Sequence, residues 1–132
     1  MDLHRSTAPC RLIGTKTAST YLGAPAKAYP ETANDGTRLC LYIASTGRLQ
    51  VEKGSRSNWA SPSLADSPPG TVIKPKPGLG ENGVLVYDKK PKYRFADSGF
   101  EHGPHYYSVY SQVIPPRKVF ALAKIIHNKV FG

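Results

Sequence analysis

The chain has 132 residues, with 18 Lys and Arg against 9 Asp and Glu, a net charge of +9. That length suits one domain, 1–132, around a single core. No apolar run approaches the ~18 residues of a membrane helix, so no membrane partner is expected. Twelve Gly and twelve Pro point to many turns, and the basic excess points to a polyanionic partner: nucleic acid, a nucleotide or an acidic protein.

Residues 2–6, DLHRS, read as the start of a strand, with Leu3 inward and His4 and Arg5 near its end. The opening MDLHRSTAPC lacks the apolar segment of a secretory signal. Cys10 and Cys40 are the only cysteines. They can close one disulfide, but small secreted domains usually carry more. A cytoplasmic setting, or delivery into a target cell by a specialised secretion system, therefore suits them better.

Residues 11–36 show no clear period and read as loop with one short helix. In RLCLYI, Leu39, Leu41 and Ile43 share one face, Ser45-Thr46-Gly47 makes a turn, and Leu49 and Val51 continue the alternation. Residues 38–52 are thus expected to form a hairpin. The Ser/Pro/Gly-rich stretch 61–83 reads as a long connection. Asn82-Gly83 is a turn signal with a strand, VLVY, after it, and residues 93–96 are placed to pair with that strand. Residues 105–114 alternate aromatic and small side chains, as a strand does. Pro115-Pro116 can open a helix whose apolar face is Val119, Leu122, Ala123, Ile126 and Val130. The β-branched residues there also suit a strand, and helix is the preferred reading.

No metal site is expected, since the chain has no close cysteine pair, no HExxH and no carboxylate cluster. Two chemistries remain. Metal-independent RNA cleavage needs a base, an acid and cations around the phosphate. His102, His105 and Tyr106 or Tyr107 supply the first two, and Arg94, Arg117 and Lys118 the third. Binding and cleavage of NAD needs a cation on the pyrophosphate, an aromatic face for the nicotinamide and hydroxyls for the ribose.

Leu3-His4-Arg5-Ser6-Thr7 resembles the first-strand signature of ADP-ribosyltransferases. Pro69-Gly70-Thr71-Val72-Ile73, followed by Pro75 and Leu79, looks like a run found in small type VI-secreted, ADP-ribosyltransferase-like toxins. His105-Tyr106-Tyr107-Ser108 is similar to that family's later His-Tyr-Thr/Ser step, which precedes a C-terminal helix. The resemblance implies an α+β fold: a compact split antiparallel β-sheet core, ADP-ribosyltransferase-like, with a C-terminal helix. It implies a small basic toxin that takes NAD as substrate and is blocked by an acidic immunity or antitoxin protein, with nucleic acid as the partner under the ribonuclease alternative. Arg5, Ser6, Thr7 and Tyr106 would bind the NAD, and His105, Tyr107 and Glu101 would carry the catalysis. Classical ADP-ribosyltransferases place a catalytic Glu near the position of Ser108 to Gln112. This chain has none there, and Glu101 is its last carboxylate.

Residues 47–63 and 83–99 also align without a gap, pairing Gly47 with Gly83 and Trp59 with Phe95. This echo resembles the repeat of bulb-type mannose-binding lectins, although the sugar-contacting pattern of those repeats is largely absent. It implies a β-rich binding module with almost no helix.

Overall fold

Alternation builds the centre of the molecule, with a parity that the apolar run conceals. Strands β2 (Arg38–Ala44) and β3 (Gly47–Ser55) form the expected hairpin. Cys40 and Tyr42 of β2 face the core with Leu49 and Val51 of β3, and all four are fully buried. Leu39, Leu41 and Ile43 do share a face, but it is the opposite one, and each stays partly exposed. The structure is a computed structural model that describes residues 7–59, 69–89 and 95–132. The 2–6 strand, Arg5, Ser6 and Arg94 lie outside the described residues.

The hairpin belongs to one seven-stranded antiparallel sheet. Its other strands are β1 (Lys27–Thr32), β4 (Thr71–Pro75), β5 (Glu81–Asp88), β6 (Ala96–His102) and β7 (His105–Ser111). The order β1-β2-β3-β7-β6-β5-β4 makes β1 and β4 the edges. Two strands thus fall in stretches that read as loop or connection. Both are edge strands that contain a proline, Pro30 and Pro75, a residue that cannot donate to a ladder. Asn82-Gly83 is not a hairpin turn. Asn82 takes a positive φ of 54° inside β5, and the β5–β6 register shifts between Glu81 and Val84, so the pair marks a bulge.

Three helices cover one face. Helix α1 (Pro9–Leu12) and helix α2 (Thr15–Leu22) lie over β2 and β3. Helix α3 (Pro116–Phe131) lies over β5, β6 and β7. The chain enters α3 through Pro115-Pro116, and Val119, Leu122, Ala123 and Ile126 are buried at helical spacing against the sheet, with Val130 partly so. This settles the C-terminal segment as helix. The α+β class and the C-terminal helix stand as expected, and a 16-residue helix departs from the helix-poor module that the lectin echo implies. Cys10 of α1 and Cys40 of β2 are joined in a disulfide, with their Cα atoms 5.0 Å apart. The sequence left this pairing open, and α1 packs on β2 at the point where both side chains meet. Among the described residues, no helix is long and apolar enough to cross a membrane.

Among the described residues, the second face carries no helix. Glu31, Glu52, Asp97, Glu101 and Glu81 all point to it, as the pairings Glu31↔Leu39, Leu39↔Glu52, Glu52↔Ser108, Ser108↔Gly99 and Glu81↔Glu101 require. Two aromatic rings lie flat on this face because glycines stand beneath them. A Cβ on Gly99 would come within 2.7 Å of the Trp59 ring, and one on Gly54 within 2.5 Å of the Tyr106 ring.

Candidate functional site

The helix-bearing face ends, beside α1, in a cationic recess of about 160 Å³. It is lined by Gly36, Arg38, Lys53, Gly54, Ser55 and His105. Strand register brings these residues together: Arg38 pairs with Lys53, Lys53 with Tyr107 and Ser55 with His105. The β2–β3 hairpin and the remote strand β7 therefore place two cations and an imidazole around one small hollow. Among the described residues, no carboxylate lines it. Lys53 Nζ donates a hydrogen bond of 2.6 Å to Thr7 Oγ1 and lies 5.8 Å from the Tyr107 ring centre. Partial burial, and then the Arg38 charge, push the Lys53 ammonium below its ordinary range. Two like charges on a lining that has no carboxylate among its described residues form a seat for an anion.

Thr7, His105 and Tyr107, three of the residues singled out in the sequence, meet here. The Tyr107 phenol reaches the Thr7 hydroxyl, which opposes in part the upward push of burial on its pKa. Its ring stacks on Phe100 at 5.4 Å, and the residue is 3% exposed. Tyr107 is thus largely a core residue with its polar tip at the recess. His105 is half-buried, with its ring edge-on to Tyr107 at 6.3 Å.

Tyr106 and Glu101 lie on the opposite face. Alternation along β7 sends Tyr106 away from His105 and Tyr107. Its hydroxyl donates to Glu52 Oε1 at 2.8 Å, and its ring packs on Trp59 at 4.9 Å. Burial, with that hydrogen bond to Glu52, raises its pKa well above the ordinary tyrosine value. Glu101 accepts from Arg56 Nε and from Asn82 Nδ2, each at 2.5 Å. Arg56 also reaches Glu81 at 2.8 Å. Glu101 therefore closes an ion-pair network that pins the turn after β3 to the sheet, and its carboxylate does not face the recess. Thr71–Pro75, from the middle motif of the resemblance, forms the far edge strand, three strands from β7. Among the described residues, no group of three or more His, Cys, Asp and Glu could hold a metal ion.

Asp97, on the same face as Glu101, was not singled out by sequence reasoning. Its Oδ1 is shielded from solvent and has no hydrogen-bond partner among the described residues. Burial, reinforced by the Glu52 charge, pushes its carboxyl up to about 7. No signal in the sequence marks it, because its environment is made by Glu52 on a strand two places away.

No family model, no curated protein and no solved structure matches this chain.

Proposed function

We propose that the chain is a small basic toxin-like enzyme that seats the pyrophosphate of NAD in the Arg38–Lys53 recess and breaks its nicotinamide–ribose bond. One observation carries this reading. Thr7, the end of the first-strand signature, and His105 and Tyr107, from the His-Tyr-Tyr-Ser step, stand about a hundred residues apart in the chain. They meet across Lys53. An ADP-ribosyltransferase-like site requires that juxtaposition, and neither motif alone entails it.

At about 160 Å³, the recess falls below the 300–1,000 Å³ of pockets that enclose whole ligands. It fits a charged group and leaves the rest of a dinucleotide on the surface. Arg38 offers the planar, two-pronged donor that matches phosphate oxygens, and Lys53 adds a point charge. His105 can donate to a phosphate or ribose oxygen from the rim. In the reaction, the ribose C1′–nitrogen bond breaks, nicotinamide leaves with the bonding pair, and an acceptor hydroxyl, amine or water bonds to C1′ and gives up its proton. The ribose carries positive charge as that bond loosens.

A second reading has its own support. Among the described residues, no carboxylate lines the recess, and Glu101 is held on the other face by Arg56 and Asn82. Lys, Arg and His without a carboxylate are the groups that metal-independent RNA cleavage uses. The discriminating experiment incubates the purified protein with NAD, and separately with RNA in EDTA, and follows nicotinamide release and RNA fragments. Nicotinamide release that Lys53→Ala abolishes, at unchanged Tm, supports the NAD reading. RNA fragments with NAD intact transfer the site to the ribonuclease reading. Neither product, under conditions where the protein is folded, removes both.

A further inference from the structure

We infer that a groove separate from the recess, between α3 and the β4–β5 hairpin, binds single-stranded nucleic acid. It consists of two adjoining hollows of about 470 and 390 Å³ that share Phe120. One wall carries Lys74 and Lys76, and the other carries Arg117 and Lys124, while Tyr87 and Phe120 form an aromatic floor. Among the described residues, no carboxylate lines either hollow. Helix α3 has four Lys and Arg residues and no Asp or Glu over its 16 residues. Arg117, Phe120, Lys124 and His127 follow at spacings of three and four and so form one stripe along the helix, about 15 Å long.

The cations stand over the rings. Lys74 Nζ is 5.6 Å from the Tyr87 centre, while Lys76 and Lys124 are 4.6 and 5.2 Å from that of Phe120. Such contacts are weak where water reaches them. The lysine stems can swing outward to phosphates, which uncovers the ring faces for bases. That pairing of cationic walls with a stacking floor is how sequence-tolerant single-strand grooves work. An acidic protein would use the walls, but its carboxylates would gain nothing from an aromatic floor. The groove does not depend on whether the recess takes NAD or RNA.

The test uses the intact protein and a fluorescein-labelled oligouridine 12-mer, read by anisotropy between 50 and 200 mM NaCl, with labelled polyglutamate as the acidic-polypeptide probe. Four phosphate contacts predict a log–log salt slope of about −3, and Lys76→Ala should reduce it by about 0.7. Phe120→Leu keeps apolar bulk and removes the stacking face. It should weaken RNA binding about tenfold with the salt slope unchanged, and leave polyglutamate binding unaltered. Lys16→Ala, on α2 and outside both the groove and the recess, should bind the oligonucleotide as the parent does. Equal loss of RNA and polyglutamate in Lys76→Ala with no effect of Phe120→Leu would make the groove an acidic-protein surface and overturn the inference. So would loss of RNA binding in Arg38→Ala, in the recess, with both groove variants unaffected.

Discussion

The two faces of the sheet are built from the same strands and do opposite work. The helix-bearing face holds Tyr42, Phe100, Val109 and Leu49 in a dry core, and the charges at its margins, Arg38, Lys53 and Lys74, are cationic. The other face holds Glu52, Asp97 and Glu101, and its aromatic residues lie flat on glycines instead of interlocking with a helix. One face is packed against helices, and the other joins buried Val84, Val86 and Tyr106 with hydrogen bonds and ion pairs. A protein with a net charge of +9 thus keeps carboxylates away from its cationic hollows by strand parity alone. The lesson is that net charge says less about an anion site than which face each charge takes.

Removing packing from the helix-bearing face should have the largest effect. Phe100 is 1% exposed and touches Tyr107, His127 and Phe131, so Phe100→Ala should cost roughly 3–5 kcal/mol. The denaturant midpoint measures this, and a loss below 1 kcal/mol would mean that the helix face is not the packed one. Reducing the Cys10–Cys40 bridge, with a sequence separation of 30, should cost about 3.6 kcal/mol through the unfolded chain. Thermal melts with and without reductant read it directly.

The open face should respond to pH instead. Asp97 has its carboxyl raised from 3.8 to about 7 in the folded protein, so the folded state holds a proton that the unfolded chain releases earlier. Its contribution to stability is fully present below about pH 4, is lost as pH rises towards 7, and stays lost above. Asp97→Asn removes this dependence, and the variant should be the more stable form at pH 8, with the gap closing towards pH 4. The full shift corresponds to about 4 kcal/mol, and relaxation with water entry should leave about half. A variant no more stable at pH 8 than at pH 4, relative to the parent, would remove Glu52 and burial as the cause. The smallest effect belongs to Glu101→Gln. It keeps the shape and removes the charge facing Arg56, whose side chain is 36% exposed. The loss should be about 1 kcal/mol, with nicotinamide release unchanged. A selective loss of activity would return Glu101 to the chemistry.

The elements legible in the sequence were those with a long apolar period. The hairpin of β2 and β3 and the face of α3 follow directly from residue spacing. Strand β1 was not legible, because an edge strand exposed along most of its length needs no apolar alternation. Strand β4 was hidden by the prolines around it. The site was half legible. The grouping of Thr7 with His105 and Tyr107 was implied by motif, but Arg38 and Lys53 sit in ordinary strand positions, where a basic residue usually marks a solvated face. Glu101 stood out as the last carboxylate, and the Arg56 partner that claims it lies 45 residues earlier. No local pattern reports a contact of that range.

Pro30 and Pro75 stand in β1 and β4, the two strands at the margins of the described sheet. Each removes a backbone donor from a margin where a stray extended segment would otherwise dock, and Lys27 and Lys74 add charge there. A sheet of seven strands is a template that invites further strands, from a second copy or from an unfolding neighbour. Here both ends of the template are spoiled. The consequence is resistance to fibril-like growth wherever many copies of the chain stand close together.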